Sequence, residues 1–194
     1  SKGNVIYADD LIKLIGVDAV RYYLLSEMPY ASDGSITYET VFERYNSDLA
    51  NNLGNLVNRT ISMSYKYFDG IILSPDVEED IDKELIETAI KTVFSVDDLM
   101  KEFRISDSLY AILNLARRSN KYIDETTPWI LAKDEDKKER LATVLYNLLE
   151  SIRFIAVLLS PFLPDTSKEI FRQLNTTETT YESINSFGAL NVNE

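Results

Sequence analysis

Between positions 46 and 69 the chain reads NSDLANNLGNLVNRTISMSYKYFD, which sets Asn46, Asn51, Asn52, Asn55 and Asn58 beside Arg59. Asparagine is a mediocre helix former, because its amide competes for backbone hydrogen bonds. Yet Leu49, Leu53, Leu56, Val57 and Ile61 recur at helical spacing, so the stretch is expected to be one helix with an apolar side against a core. A helix that carries so many asparagines has a use for their amides. Asn55 and Arg59 stand four apart and therefore share a face. An amide and a fork-shaped guanidinium side by side can hydrogen-bond a base edge or a phosphate. The same pattern suits amide hydrogen bonds between packed helices, and the pattern alone serves both readings equally.

Two further groups carry chemistry of the same kind. Arg117, Arg118, Asn120, Lys121 and Tyr122 form the densest basic and aromatic cluster in the chain. They close a helix expected from Ser106, where cations also favour the helix dipole. Arg117, Arg118, Lys121 and Lys66 are the candidate phosphate contacts. Downstream, Thr127-Pro128 reads as a cap and first turn, with Trp129, the only tryptophan, at a helix entrance. A tryptophan at a turn beside cations can be a platform on which an unpaired base stacks. A lone tryptophan is also an ordinary core residue.

Composition narrows the chemistry. The chain has no cysteine and no histidine, which removes disulfides, Cys/His zinc sites and His-based nucleophile systems. No carboxylate pair stands out, and no metal ligand set is expected. With 32 acidic and 20 basic residues the net charge is −12, which argues against general affinity for DNA or RNA. Any RNA contact must be local and specific. The longest apolar stretch, 154–163, is interrupted by Ser160 and Pro161 and is too short to span a bilayer, so a cytoplasmic protein without membrane contact is expected. An acidic helical scaffold or protein-interaction bundle without any RNA role fits this composition as well. Exposure of Trp129, Asn55 and Arg59 separates the two readings.

The elements that must hold these residues follow from periodicity. Residues 1–45 read as a small α/β module. Val5-Ile6-Tyr7 and Ile36-Thr37-Tyr38 are expected to be short extended pieces. Asp9 or Asp10 can cap a segment ended by Gly16, and Asp18 opens a helix with Val20, Tyr23 and Leu24 inward. Ser74-Pro75-Asp76 has the form of a helix start, followed by an apolar face through Leu85, Ala89, Ile90, Val93, Phe94 and Phe103. The acids Glu78, Glu79, Asp80 and Asp82 read as its solvated side. A helix from about 136 to 159 buries Leu141, Val144, Leu145, Leu148, Leu149, Ile152 and Ile155. Thr166 and Glu169 form a capping box for a last short helix. The expected fold is mainly α, a bundle of four or five helices over 46–175, preceded by the α/β module of 1–45 and followed by a polar, extended or partly disordered tail over 176–194.

Several separated motifs closely resemble the methionyl-tRNA synthetases, a class I aminoacyl-tRNA synthetase family. They are Asp48 to Arg59 (DLANNLGNLVNR), Asn120 to Asp124 (NKYID) and Pro128-Trp129, with DAVRYYLL at 18–25 and Asp33-Gly34 ahead of them. Ser1 to Asn4 resembles the tail of the KMSKS loop, with Ser1 as its last serine. The resemblance implies a stem-contact module followed by an anticodon-binding helical bundle that reads the CAU anticodon of tRNA(Met). On its motifs, Asn55 and Arg59 would bond around the first anticodon base, a cytosine, and Pro128 with Trp129 would stack it. It also implies that this sequence is a piece of a longer methionine–tRNA ligase. The catalytic domain of the same polypeptide, with its ATP and Mg2+, lies elsewhere, and no catalysis or cofactor is expected from these residues alone.

Overall fold

The computed structural model describes residues 5–27 and 34–193, and among them every regular element is a helix. Helix α1 is Ala8–Ile15, α2 is Val17–Glu27 and α3 is Tyr38–Arg44. A π-helical stretch, Tyr45–Gly54, joins α3 end to end with α4, Asn55–Phe68. Then follow α5 (Asp80–Lys101), α6 (Ile105–Thr126), the single turn α7 (Pro128–Leu131), α8 (Lys138–Leu159) and α9 (Pro164–Leu174). The bundle is formed by α4, α5, α6, α8 and α9, as the mainly α reading requires.

Helix α8 is the axis. Residues 140–159 are buried without exception, and α4, α5, α6 and α9 all pack on it. By length and composition α8 is apolar enough to cross a bilayer, yet its apolar stretch is wholly buried inside the protein. Each buried leucine or isoleucine on it contributes about 1.5–3 kcal/mol relative to exposure. The polar residues on such a helix need partners, and Tyr146, Glu150 and Arg153 find them in the tail. The fully buried pair Glu150 and Arg153 lies at 2.7 Å. Arg153 donates to the carbonyls of Glu178 and Ser183, and Glu150 Oε1 accepts the amides of Gly188 and Ala189. Tyr146 donates to the Leu190 carbonyl, Phe187 lies 5.3 Å from Phe154 between ring centroids, and Ile184 and Leu190 are buried. The tail is thus an anchored strap.

The leading segment carries α1, α2 and α3 and, among the described residues, no strand. Residues 5–7 only lead into α1, and Thr37 caps α3 through a capping box with Thr40, so Tyr38 begins a helix. A short apolar run with a capping partner three residues on favours a helix over a lone extended piece, which has no neighbour to pair with. Gly16, at φ 85°, ends α1 as expected. In α2, Tyr22 is buried in place of Leu24, which is exposed. Ser1 to Asn4 and residues 29–33 lie outside the described residues.

Three helix starts differ from the local signals. Residues 74–79 stay non-helical because Thr143 accepts the Val77 amide and Arg140 donates to the Val77 carbonyl. Helix α5 opens at Asp80, with Asp82 accepting the Glu79 amide. Helix α6 opens one residue before Ser106, and Ser106 is not its cap. Helix α9 opens at Pro164, and the Thr166 amide donates to Asp18 of α2 at 2.6 Å, while Glu169 pairs with Arg172. At α9 a tertiary partner satisfies a terminal amide that a local cap would otherwise take, whereas α5 is closed by a local capping box between Glu79 and Asp82.

Candidate nucleic-acid interface

Asn55 and Arg59 lie on the first turns of α4, with Asn55 exposed and Arg59 half-buried. Helical spacing sets Asn55, Arg59, Ser62 and Lys66 along one face over about 16 Å. Arg59 Nη2 donates to Asp124 Oδ1 at 2.9 Å, which ties this face to the last turns of α6. Three residues after Asp124, α6 closes at Thr127 in the left-handed conformation, φ 44° and ψ 61°. A β-branched residue there is unusual, and such backbone costs on the order of 1–3 kcal/mol. The turn redirects the chain into α7, where Pro128 is buried as the first helical residue and Trp129 stands out with 41% of its surface exposed. Ile130 beside it is also exposed. A buried proline therefore holds an outward tryptophan five positions along the chain from Asp124, the partner of Arg59.

The basic cluster divides. Arg118 is largely buried and paired with Glu84 and Glu125. Arg117 bonds Asp48 and Asn114 and lies over the Tyr110 ring. Lys121 is exposed and reaches Glu125 at 3.3 Å. Lys66 is exposed, over the Tyr67 ring, with no ion pair among the described residues. Lys66 and Lys121 therefore remain available to a phosphate, whereas Arg117 and Arg118 are engaged in holding helices together.

Residues 75–192 match the family described as the anticodon binding domain of methionyl tRNA ligase, and residues 1–61 match the class I tRNA synthetases of the methionine group. The chain belongs to the methionyl-tRNA ligase anticodon-binding family. The methionine–tRNA ligase of Clostridium perfringens is 55% identical over 187 residues, covering 96% of this chain and 29% of that protein. That of Caldanaerobacter subterraneus subsp. tengcongensis is 52% identical over 192 residues, covering 98% and 30%. The chain thus spans less than a third of these relatives. The crystal structure of Mycobacterium tuberculosis methionyl-tRNA synthetase bound by methionyl-adenylate superposes with a TM-score of 0.92 at 33% identity, over 99% of this chain and 38% of that one.

Between positions 46 and 59 the asparagines have two fates. Asn46, Asn51, Asn55 and Asn58 are exposed. Asn52 is buried, donates to the Leu113 carbonyl and accepts from Asn120. Asp48, also buried, accepts from Tyr22 at 2.8 Å and from Arg117 at 3.1 Å, joining α2, the π segment and α6. Burial and the Asp48 hydrogen bond push the Tyr22 phenol well above its ordinary range. These two residues fix the rotation of the helix whose next turns carry Asn55 and Arg59. Asp124 does not stand out in the sequence, although it ends the motif NKYID. Nothing local marks it, because its partner Arg59 is 65 positions away.

Proposed function

We propose that this chain reads the CAU anticodon of tRNA(Met) for a methionine–tRNA ligase. The observation that carries the reading is the exposed Trp129, held out by buried Pro128 five positions after Asp124, the carboxylate that pairs with Arg59. An unstacked anticodon base needs a π face and polar groups at its edge, and Trp129 with Asn55 and Arg59 supplies both. Cytosine offers an amino donor and two acceptors, a ring nitrogen and a carbonyl oxygen. An asparagine carbonyl oxygen suits the first and guanidinium N–H groups the others. Lys66 and Lys121 would meet loop phosphates. In the longer protein the catalytic domain would use ATP and Mg2+ to activate methionine and transfer it to the tRNA, in the cytoplasm. DNA and membranes have no part in the reading. The acidic-scaffold reading loses its support once Trp129, Asn55 and Arg59 lie at the surface.

Tryptophan fluorescence tests this directly, since Trp129 is the one source. A stem-loop with a CAU anticodon should quench it, and a first-base variant should do so far more weakly. Equal quenching by both loops, or none at RNA levels that saturate the full ligase, would sink the proposal. Arg59→Ala is expected to weaken CAU stem-loop binding about 5- to 100-fold, as for loss of a bidentate base contact. It should also erase most of the preference for cytosine at the first base, which competition binding with the variant loops measures. Asp124→Asn releases the guanidinium and removes a carboxylate near the RNA. Affinity should rise about threefold or more for every loop, with a narrower spread between loops.

A further inference from the structure

Among the described residues, Asp69, Phe103, Thr127 and Asn175 adopt a left-handed backbone without being glycine. Asp69 and Asn175 close α4 and α9 and are of types that tolerate this conformation. Phe103 lies on the open turn between α5 and α6, with its ring in solvent. Thr127 is the β-branched one, for which such a backbone is a genuine outlier. The same chain ends α1 on Gly16, at φ 85°, where no comparable cost arises.

Capping alone does not call for a threonine here. The Thr127 amide donates to the Ile123 carbonyl at 3.0 Å, and its own carbonyl accepts the Ile130 amide at 2.8 Å, so its backbone closes α6 and opens α7. Its side chain makes no cap hydrogen bond to α7. Glycine suits such a position best. Pro128 keeps residue 127 out of the right-handed helical region, so α6 cannot run on. Pro128 is buried and Leu131 packs on the core, whereas Trp129 between them stands exposed. The direction of the indole therefore follows from φ and ψ at residue 127. A β-branched residue has only a small left-handed well, and glycine has a broad one. A costly residue that narrows the backbone where the stacking ring is aimed fits strain kept for pre-organisation.

We infer that Thr127 is a positioning residue for anticodon stacking: its strained, narrowly held turn fixes the direction of Trp129. The inference rests on the reading of Trp129 as the stacking ring. Time-resolved fluorescence anisotropy of Trp129, the only tryptophan, measures the ring's local freedom in this chain without RNA. In Thr127→Gly the fast component should grow, while the thermal midpoint holds or rises, because relieved strain offsets the extra freedom of the unfolded chain. Affinity for the CAU stem-loop should fall about 2- to 12-fold in that variant, as for a side chain that must be ordered on binding. Thr127→Val keeps the branch without the hydroxyl and should match the native chain in anisotropy and affinity. A residue that only caps would behave otherwise, with glycine neutral or better in every readout. Native anisotropy or a lowered midpoint in the glycine variant, or a freed ring in the valine variant, would overturn the inference. If the native chain shows no selective quenching by the CAU loop, the anticodon reading fails, and the anisotropy still decides whether Thr127 holds the ring.

Discussion

Trp129→Ala, placed in the full-length ligase, is expected to lower kcat/KM for charging tRNA(Met) about 5- to 150-fold, the equivalent of one lost base stack of about 1–3 kcal/mol. Exchange of pyrophosphate into ATP without tRNA should change by less than about twofold, since that step needs no anticodon. The ring is 41% exposed at the start of α7, while the adjacent Pro128 does the packing. Removal of the indole therefore leaves no large internal cavity, and the thermal midpoint should hardly move. Trp129→Phe keeps a stacking face and should retain most of the charging rate. If charging and exchange fell together, or if Trp129→Ala lowered the midpoint as a core truncation does, Trp129 would be a structural residue and the RNA reading would lose its main support.

How far the sequence discloses this arrangement depends on the distance between partners. The core faces of α5, α6 and α8 are legible because Leu85, Ala89 and Val93, or Leu145, Leu148 and Ile152, need only the 3.6-residue period to be placed. Gly16 and Pro128 are legible because their roles are local. The Ser74-Pro75-Asp76 start is misleading for the opposite reason: its backbone groups are claimed by Thr143 and Arg140, more than sixty positions away. Asn52 looks like its exposed neighbours in composition, yet α6 takes its amide. Phe94 and Phe103, expected inward, are exposed; Phe103 closes α5 at φ 57°, which sends its side chain to the surface. The pairing of Asn55 with Arg59 on one face was readable from spacing. The Asp124 contact, which fixes where that face sits relative to Trp129, was not.

Asp82 is the case where the sequence misleads most, and it carries the largest stability effect expected. It stands in a run of acids that reads as solvated surface, but its carboxylate is fully buried. Arg140 Nη2 donates to it at 2.8 Å, Arg140 Nη1 and the Tyr122 hydroxyl donate as well, and so does the Glu79 amide. Burial alone would raise its pKa, but the hydrogen bonds from Arg140, Tyr122 and the Glu79 amide hold it below the usual carboxylate range. Asp82→Asn leaves the buried Arg140 guanidinium with only the exposed Glu79 carboxylate, at 3.3 Å, as a counter-charge, and urea unfolding should show a loss of about 3–5 kcal/mol. The double variant Asp82→Asn with Arg140→Met should recover part of that loss, which separates an uncompensated charge from a general packing defect. The pH dependence has a definite sign. A depressed folded pKa means that the unfolded chain binds the proton more readily, so the contribution of Asp82 is complete above about pH 5 and is lost as pH falls through the folded value, below about 4. The stability gap between the native chain and Asp82→Asn should therefore be constant near neutrality and shrink in acid. A gap that stayed constant down to pH 2, or widened there, would mean that the carboxylate is not the charged partner of Arg140.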